Sequence, residues 1–338
     1  MNTSPTGSGE GSPHGSWQYG MLNTGTGPRM ANTIYSNSNT NVGNVSNSNI
    51  TTINVGIDEE RLRIQEWLSP LKPYERHQDV RNRRLDGVGE WVLQRSEFES
   101  WRNSRDGSGN STLLCYGIQG VGKTYIRYES ILQKHGKILT RNKISSLVID
   151  TLRKQTRGRD VAVLSLYCDY QAQKDQSAVN LVGALLKQVA LRAPRVPSEI
   201  KSAFDESKQE GGEGLRLLDM VKLFVKVIGS MGLVYLCVDA VDEILRHQRS
   251  AFLRALRQII RDAPNVRLFL TGRPYVCGEL DSHLAKGANV IQVMAGQEDI
   301  VKYLSQKIDD DGCQDPDLMT EDLKNDIMRT MLEKASEM

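Results

Sequence analysis

This sequence predicts an α/β fold on a five-stranded, mostly parallel sheet, and three observations carry the prediction. Five short apolar runs of strand length lie at Thr112–Tyr116, Val161–Tyr167, Gly232–Val238, Val266–Thr271 and Asn289–Val293. Between them, segments such as 176–191 and 248–261 carry apolar residues at helical spacing. Strands joined by long helical crossovers pair in parallel and need helices on both faces. Finally, the first run leads directly into Gly117-Ile-Gln-Gly-Val-Gly-Lys-Thr124, which has the form G-x-x-x-x-G-K-T.

Upstream of the sheet, residues 1–57 are rich in Asn, Ser, Thr and Gly. Their only Lys, Arg, Asp or Glu residues are Glu10 and Arg29. Such a segment buries too little apolar area to offset its ordering entropy, so a disordered tail is one reading. The other is self-assembly. Within residues 32–57, Ile34, Val42, Val45, Ile50, Ile53, Val55 and Ile57 punctuate an uncharged Asn/Ser/Thr background without proline, a composition that can stack into ladders of copies.

Charge and helical periodicity begin at Asp58, a candidate cap for a helix carrying Leu62, Ile64, Trp67 and Leu68, which Pro70 ends. Residues 90–101 carry Trp91, Val92, Leu93, Phe98 and Trp101 and predict a second amphipathic helix. Three of the four tryptophans fall between 67 and 101, which favours packing against the following domain over a ligand role. The competing reading puts Gly87–Trp91 beside a nucleotide base. Arg76, Arg81, Arg83 and Arg84 read as a solvated face. Residues 105–111 have linker composition. The segment 58–110 is thus a helical adaptor and linker.

Residues 111–297 hold the chemistry. In a G-x-x-x-x-G-K-T loop, Gly117, Gly120, Val121 and Gly122 let backbone N–H groups curl around phosphate oxygens. Lys123 is expected to reach the β- and γ-phosphates, and the Thr124 hydroxyl to hold Mg²⁺. This is a P-loop, and it predicts a P-loop NTPase domain. Such a loop needs a second acidic anchor. The run Gly232–Val238 ends in Asp239-Ala-Val-Asp242-Glu243, which puts Asp239 where a metal-holding carboxylate is expected. Asp242 or Glu243 would polarise the attacking water, with Glu243 the favoured candidate. The run Val266–Thr271 ends in Gly272-Arg273-Pro274, and Arg273 at a strand tip can sense the γ-phosphate. The expected cofactor is Mg²⁺ with ATP or GTP; no base-reading motif separates the two.

Composition narrows the partners. The 338 residues carry 43 Lys+Arg against 41 Asp+Glu, so no basic footprint points to nucleic acid. No run of about 18 apolar residues predicts a membrane span, and no apolar leader follows the start. Five cysteines without a C-x-x-C pair argue against a disulfide or zinc framework and for a reducing, cytoplasmic setting.

The order of P-loop, Leu236-Cys-Val-Asp-Ala-Val-Asp-Glu243 and Leu268-Phe-Leu-Thr-Gly-Arg-Pro274 resembles the NACHT branch of the STAND signalling NTPases. More narrowly, it is similar to fungal NLR-like proteins with a nephrocystin-type N-terminal NTPase domain. Ile64-Gln-Glu-Trp-Leu68, Gly89-Glu-Trp-Val-Leu93 and Asp299-Ile-Val-Lys-Tyr-Leu304 fit the same pattern, so the resemblance covers residues 58–338. It implies a nucleotide switch that forms homo-oligomers when a C-terminal repeat domain senses a ligand. It also implies a link to non-self recognition and regulated cell death. Some such proteins carry amyloid-type signalling segments at the N-terminus.

Two departures stand out. Family members run from Gly-Lys-Thr almost directly into a helix like Ser145-Ser-Leu-Val-Ile-Asp150, whereas here Tyr125–Lys143 intervenes, either as a genuine insertion or as a translated intron. Residues 298–338 read as the start of a helical region, with Leu323, Ile327, Met331 and Leu332 in register, where the family continues into a winged helix and repeats. A truncated switch is therefore expected. Two other functions compete: a non-catalytic adaptor whose polar head drives assembly, and, on fold analogy alone, a small-metabolite kinase.

Overall fold

Five strands form one sheet: β1 (Thr112–Gly117), β2 (Val161–Tyr167), β3 (Leu233–Asp239), β4 (Val266–Gly272) and β5 (Asn289–Val293). Their order across the sheet is β2-β3-β4-β1-β5, and all four pairings are parallel. The predicted runs and the strands coincide to within a residue. This is a computed structural model. It describes residues 59–338 apart from 105–110, 118–140, 213, 285–287, 294–296, 313–319 and 337–338. The polar head, the Asp58 cap, most of the linker, loop residues 118–124 and the insert as far as 140 lie outside the described residues. Those described belong to one compact unit, Ile50–Met338.

Strand side chains alternate between two cores, as a period of two requires when both faces are covered. On one face Leu114, Leu164, Leu166, Leu236, Val238, Leu268 and Leu270 pack under helices. These are α1 (residues 59–68), α5 (Ala178–Arg192), α6 (Ser198–Gln209), α7 (Leu217–Ile228), α8 (Arg246–Asp262) and α9 (Cys277–Leu284). On the other face Leu113, Cys115, Val163, Tyr235, Cys237 and Phe269 pack under α2 (Pro73–Asn82), α3 (Ser96–Asn103) and α4 (Arg141–Gln155). Each fully buried Leu, Val or Phe contributes about 1.5–3 kcal/mol. Two further helices, α10 (Gln297–Gly312) and α11 (Glu321–Ser336), share a small cluster of Ile300, Tyr303, Leu304, Ile327 and Leu332.

Helix α5 shows how one residue type sets the docking of the adaptor. A Cβ at Gly183 would stand 1.9 Å from the Leu68 carbonyl oxygen, so only glycine lets α1 end against α5. There Ser69 Oγ donates to Asn180 O at 2.8 Å, and Lys187 Nζ donates to Ser69 O at 2.9 Å. Partial burial holds the Lys187 ammonium below its ordinary range. Further along α5, the buried Gln188 amide accepts from Ser165 N at 2.9 Å and donates to Ser165 O at 3.0 Å. That pairs outward backbone groups of the edge strand β2.

Two local expectations are corrected. Residues 90–101 are not one helix: Glu90–Gln94 form a 3₁₀ turn, Arg95 is extended, and α3 begins at Ser96. The break lets Trp91 reach Asp299 (Nε1 to Oδ2, 3.0 Å) while Phe98 and Trp101 enter the core. Nor is the basic run wholly solvated. Arg84 pairs with Asp150 at 2.9 Å with its side chain only 14% exposed, and Arg76 pairs with Asp169 at 2.8 Å. The tryptophans do pack against the domain, as expected: Trp101 is fully buried, and Trp67 meets Phe204 edge-on.

Candidate functional site

The carboxyl ends of β1, β3 and β4 share one edge of the sheet. Tyr116 of β1 is in register with Gly272 of β4, and Val238 of β3 with Leu270. From that edge Gly117 leads into the P-loop, β3 delivers Asp239, and β4 delivers Thr271 and then Arg273. Gly117 itself is the last residue of β1, paired with Val293. Gly120, Val121, Gly122, Lys123 and Thr124 lie outside the described residues.

Asp239 is 1% exposed. Its Oδ1 accepts a short hydrogen bond from the Ser145 hydroxyl on α4 and another from Thr271 Oγ1 at 2.6 Å. Ala240 N donates to the same Thr271 oxygen at 2.9 Å. Ala240 takes left-handed backbone angles, φ 57° and ψ 48°, which cost a non-glycine residue roughly 1 kcal/mol or more. That turn ends the strand and starts the 3₁₀ turn Val241–Glu243.

The turn separates the two remaining acids. The Asp242 side chain is fully buried and faces Arg273, whose Nε lies 3.0 Å from Oδ2. Arg273 N also donates to Asp242 Oδ1 at 3.2 Å. Tyr275 Oη and Arg249 Nη1 donate to the Asp242 carbonyl, both at 3.2 Å, and Arg249 is anchored in turn by Glu279 at 2.9 Å. The Glu243 side chain is 22% exposed and 4.0 Å from Arg273 Nη2; its Oε2 accepts from Tyr170 N at 3.3 Å. Asp242 is therefore enclosed and ion-paired, and Glu243 reaches the surface. Burial, then the charges of Asp239, Glu243 and Asp242, push the neighbouring Cys168 thiol well up. A thiol so held is no nucleophile.

Two hydroxyls hold Asp239 Oδ1, and a carboxylate so placed is a hard oxygen ligand of the kind Mg²⁺ prefers. Among the described residues no group of three or more His, Cys, Asp or Glu is poised to hold a metal. No described helix is long and apolar enough to cross a membrane.

A second polar cluster joins the adaptor to the sheet. His77, 5% exposed, lies between Tyr167 Oη (2.7 Å) and Asp150 Oδ1 (3.1 Å). Arg84 bridges Asp150 and Ser146 Oγ, the latter at 2.8 Å. Burial raises the Asp150 pKa, but His77, Arg84 and Arg81 outweigh it and hold the carboxyl below its usual range. Gly87–Trp91 is tied to α10: Asp299 accepts from Gly89 N at 3.1 Å and from Trp91 Nε1.

Sequence reasoning missed Ser145 and Thr271 as partners of Asp239. Neither has a local signal, because a threonine in a strand and a serine in a helix are ordinary until the tertiary fold puts them beside a carboxylate.

Comparison with known proteins gives one family. The model of the nephrocystin 3 N-terminal domain matches residues 87–273, more than half of the chain. Its match starts in the adaptor at Gly87 and ends at Arg273. Solved structures similar to the chain include the Aeropyrum pernix ORC1 protein in complex with DNA, at 17% identity and a TM-score of 0.39. That alignment covers 73% of this chain and 53% of the other. Another is a Walker-type ATPase of Pyrococcus abyssi, at 14% identity and a TM-score of 0.39, covering 67% and 59%. The chain thus spans little more than half the length of either structure. No protein of curated function matches it.

Proposed function

The chain belongs to the nephrocystin 3 N-terminal family, and from that premise we propose that it binds ATP or GTP with Mg²⁺ and hydrolyses it slowly as a signalling switch. The observation that carries the reading is Asp239. It is a buried carboxylate at the end of β3, oriented by two hydroxyls, on the sheet edge where Gly117 opens a G-x-x-x-x-G-K-T loop.

In this reading the backbone of Gly120–Gly122 and the Lys123 ammonium bind the phosphates. Thr124 and Asp239 hold the Mg²⁺, which when bound neutralises charge on the β- and γ-phosphate oxygens. Glu243, the more exposed acid, orients the attacking water and accepts its proton. Asp242 has a positioning role: its buried carboxylate fixes Arg273, whose guanidinium then faces charge developing on the γ-phosphate. A STAND-type switch that forms homo-oligomers on activation, in the cytoplasm and in non-self recognition or regulated cell death, is the finer form of this reading. It rests on the resemblance of the motifs.

The test is equilibrium nucleotide binding to the full chain. Lys123→Ala is expected to weaken affinity by about tenfold to a hundredfold, the worth of a charged hydrogen-bond donor. Equal binding by the wild type and the variant would defeat the reading. Wild type that binds no nucleotide but assembles through residues 1–57 would favour the adaptor alternative.

A further inference from the structure

We propose that Thr271 is a positioning residue for the metal-binding carboxylate, setting the orientation that Asp239 offers to Mg²⁺. The inference rests on the nucleotide-binding reading and deepens it.

The directions of the hydrogen bonds carry the argument. Ala240 N–H can only donate, and it donates to Thr271 Oγ1 at 2.9 Å. The hydroxyl oxygen therefore accepts there and turns its single proton to Asp239 Oδ1, 2.6 Å away. Each bond in such an N–H···O–H···O⁻ relay polarises the next. The relay is closed by backbone, because Ala240 directly follows Asp239 and holds its N–H in place through its left-handed conformation. The Ser145 hydroxyl, on α4, donates to the same Oδ1. Two hydroxyls from two elements thus fix one oxygen, and with it the plane of the carboxylate.

Thr271 has no packing reason to be a threonine. It is 1% exposed, in a strand buried along its whole length. Valine has nearly the same shape and would fill the same space without a hydroxyl to desolvate. The polar group is explained by what it touches. It also brings no charge, so it orients Asp239 without neutralising it. A lysine or arginine at this position would compete with the cation.

The experiment compares wild type, Thr271→Val and Thr271→Ser in the full chain. ATP affinity is measured twice for each, with Mg²⁺ and with EDTA. The readout is the ratio of the two affinities, which a general loss of packing does not move. Thr271→Val is expected to cut the Mg²⁺-dependent gain by about tenfold and leave EDTA affinity unchanged, while Thr271→Ser, which restores the hydroxyl, retains the gain. Where the Val variant does not fold, Thr271→Ala removes the same hydroxyl without adding bulk and takes its place. A wild-type ratio in the hydroxyl-free variant, or an equal fall in both Thr271→Val and Thr271→Ser, overturns the proposal and leaves nucleotide binding standing. A wild type with no nucleotide affinity under either condition overturns both.

Discussion

Two carboxylates of the same domain sit in different surroundings: Asp239 is buried, and Asp150 is 22% exposed. Asp239 is gripped by the hydroxyls of Ser145 and Thr271. Asp150 is gripped by His77 at 3.1 Å and by Arg84 at 2.9 Å, with Arg81 at 3.6 Å. Neutral donors orient a carboxylate without cancelling its charge, whereas arginines orient it and neutralise it. The first arrangement suits a site that receives a cation. The second suits a joint, here between α2 and α4. The two are neighbours, since Ser145 serves Asp239 and the next residue, Ser146, accepts from Arg84. One helix carries both the site and the joint.

The contrast breaks most severely where the adaptor docks. Gly183→Ala forces a Cβ into the Leu68 carbonyl and is expected to cost on the order of 3 kcal/mol of stability. A urea midpoint equal to wild type would show that α1 does not end against α5 as described. A smaller effect is expected at the joint itself. Asp150→Asn removes the charge facing His77 and Arg84 and should cost roughly 1 kcal/mol, since the side chain is 22% exposed and solvent screens it.

The pH dependence of that loss has a defined sign. The folded-state pKa of Asp150 is lowered, so its contribution is complete above the ordinary carboxylate range and is lost as pH falls through the lowered value. Unfolding curves of wild type and Asp150→Asn should therefore differ at pH 7 and converge in acid, below about pH 4. A gap that widens in acid would contradict the assignment. Smallest of all, Lys72→Ala removes an exposed ion pair with Glu75 and should leave the thermal midpoint unmoved within error.

The sheet is legible in the sequence because each strand is an unbroken apolar run, and a strand buried on both faces needs no alternation to be seen. The strand ends near Gly117, Asp239 and Arg273 are legible for a related reason: each apolar run stops at a glycine, a carboxylate or a Gly-Arg pair. The crossover from β2 to β3 is less so. It holds α5, α6 and α7, while strand–helix alternation calls for one helix. The signal for α7 is present, in Met220, Val221, Phe224, Val227 and Ile228 at helical spacing, but alternation does not ask for it. Partners such as Arg84 with Ser146 or Thr271 with Asp239 join residues far apart in the chain, and no local pattern encodes them.

The central claim is that the hydroxyl-held carboxylate is the metal anchor of a nucleotide site and the arginine-held one is a joint. It is tested most directly by titrating Mg²⁺-ATP and Mg²⁺-GTP into the full chain as wild type, Asp239→Asn and Asp150→Asn. Asparagine at 239 can still accept from Ser145 and Thr271, so the fold should survive the change. The account predicts Mg²⁺-dependent binding by wild type and Asp150→Asn, and its loss in Asp239→Asn. Undiminished binding in Asp239→Asn, or an equal loss in both variants, would contradict it.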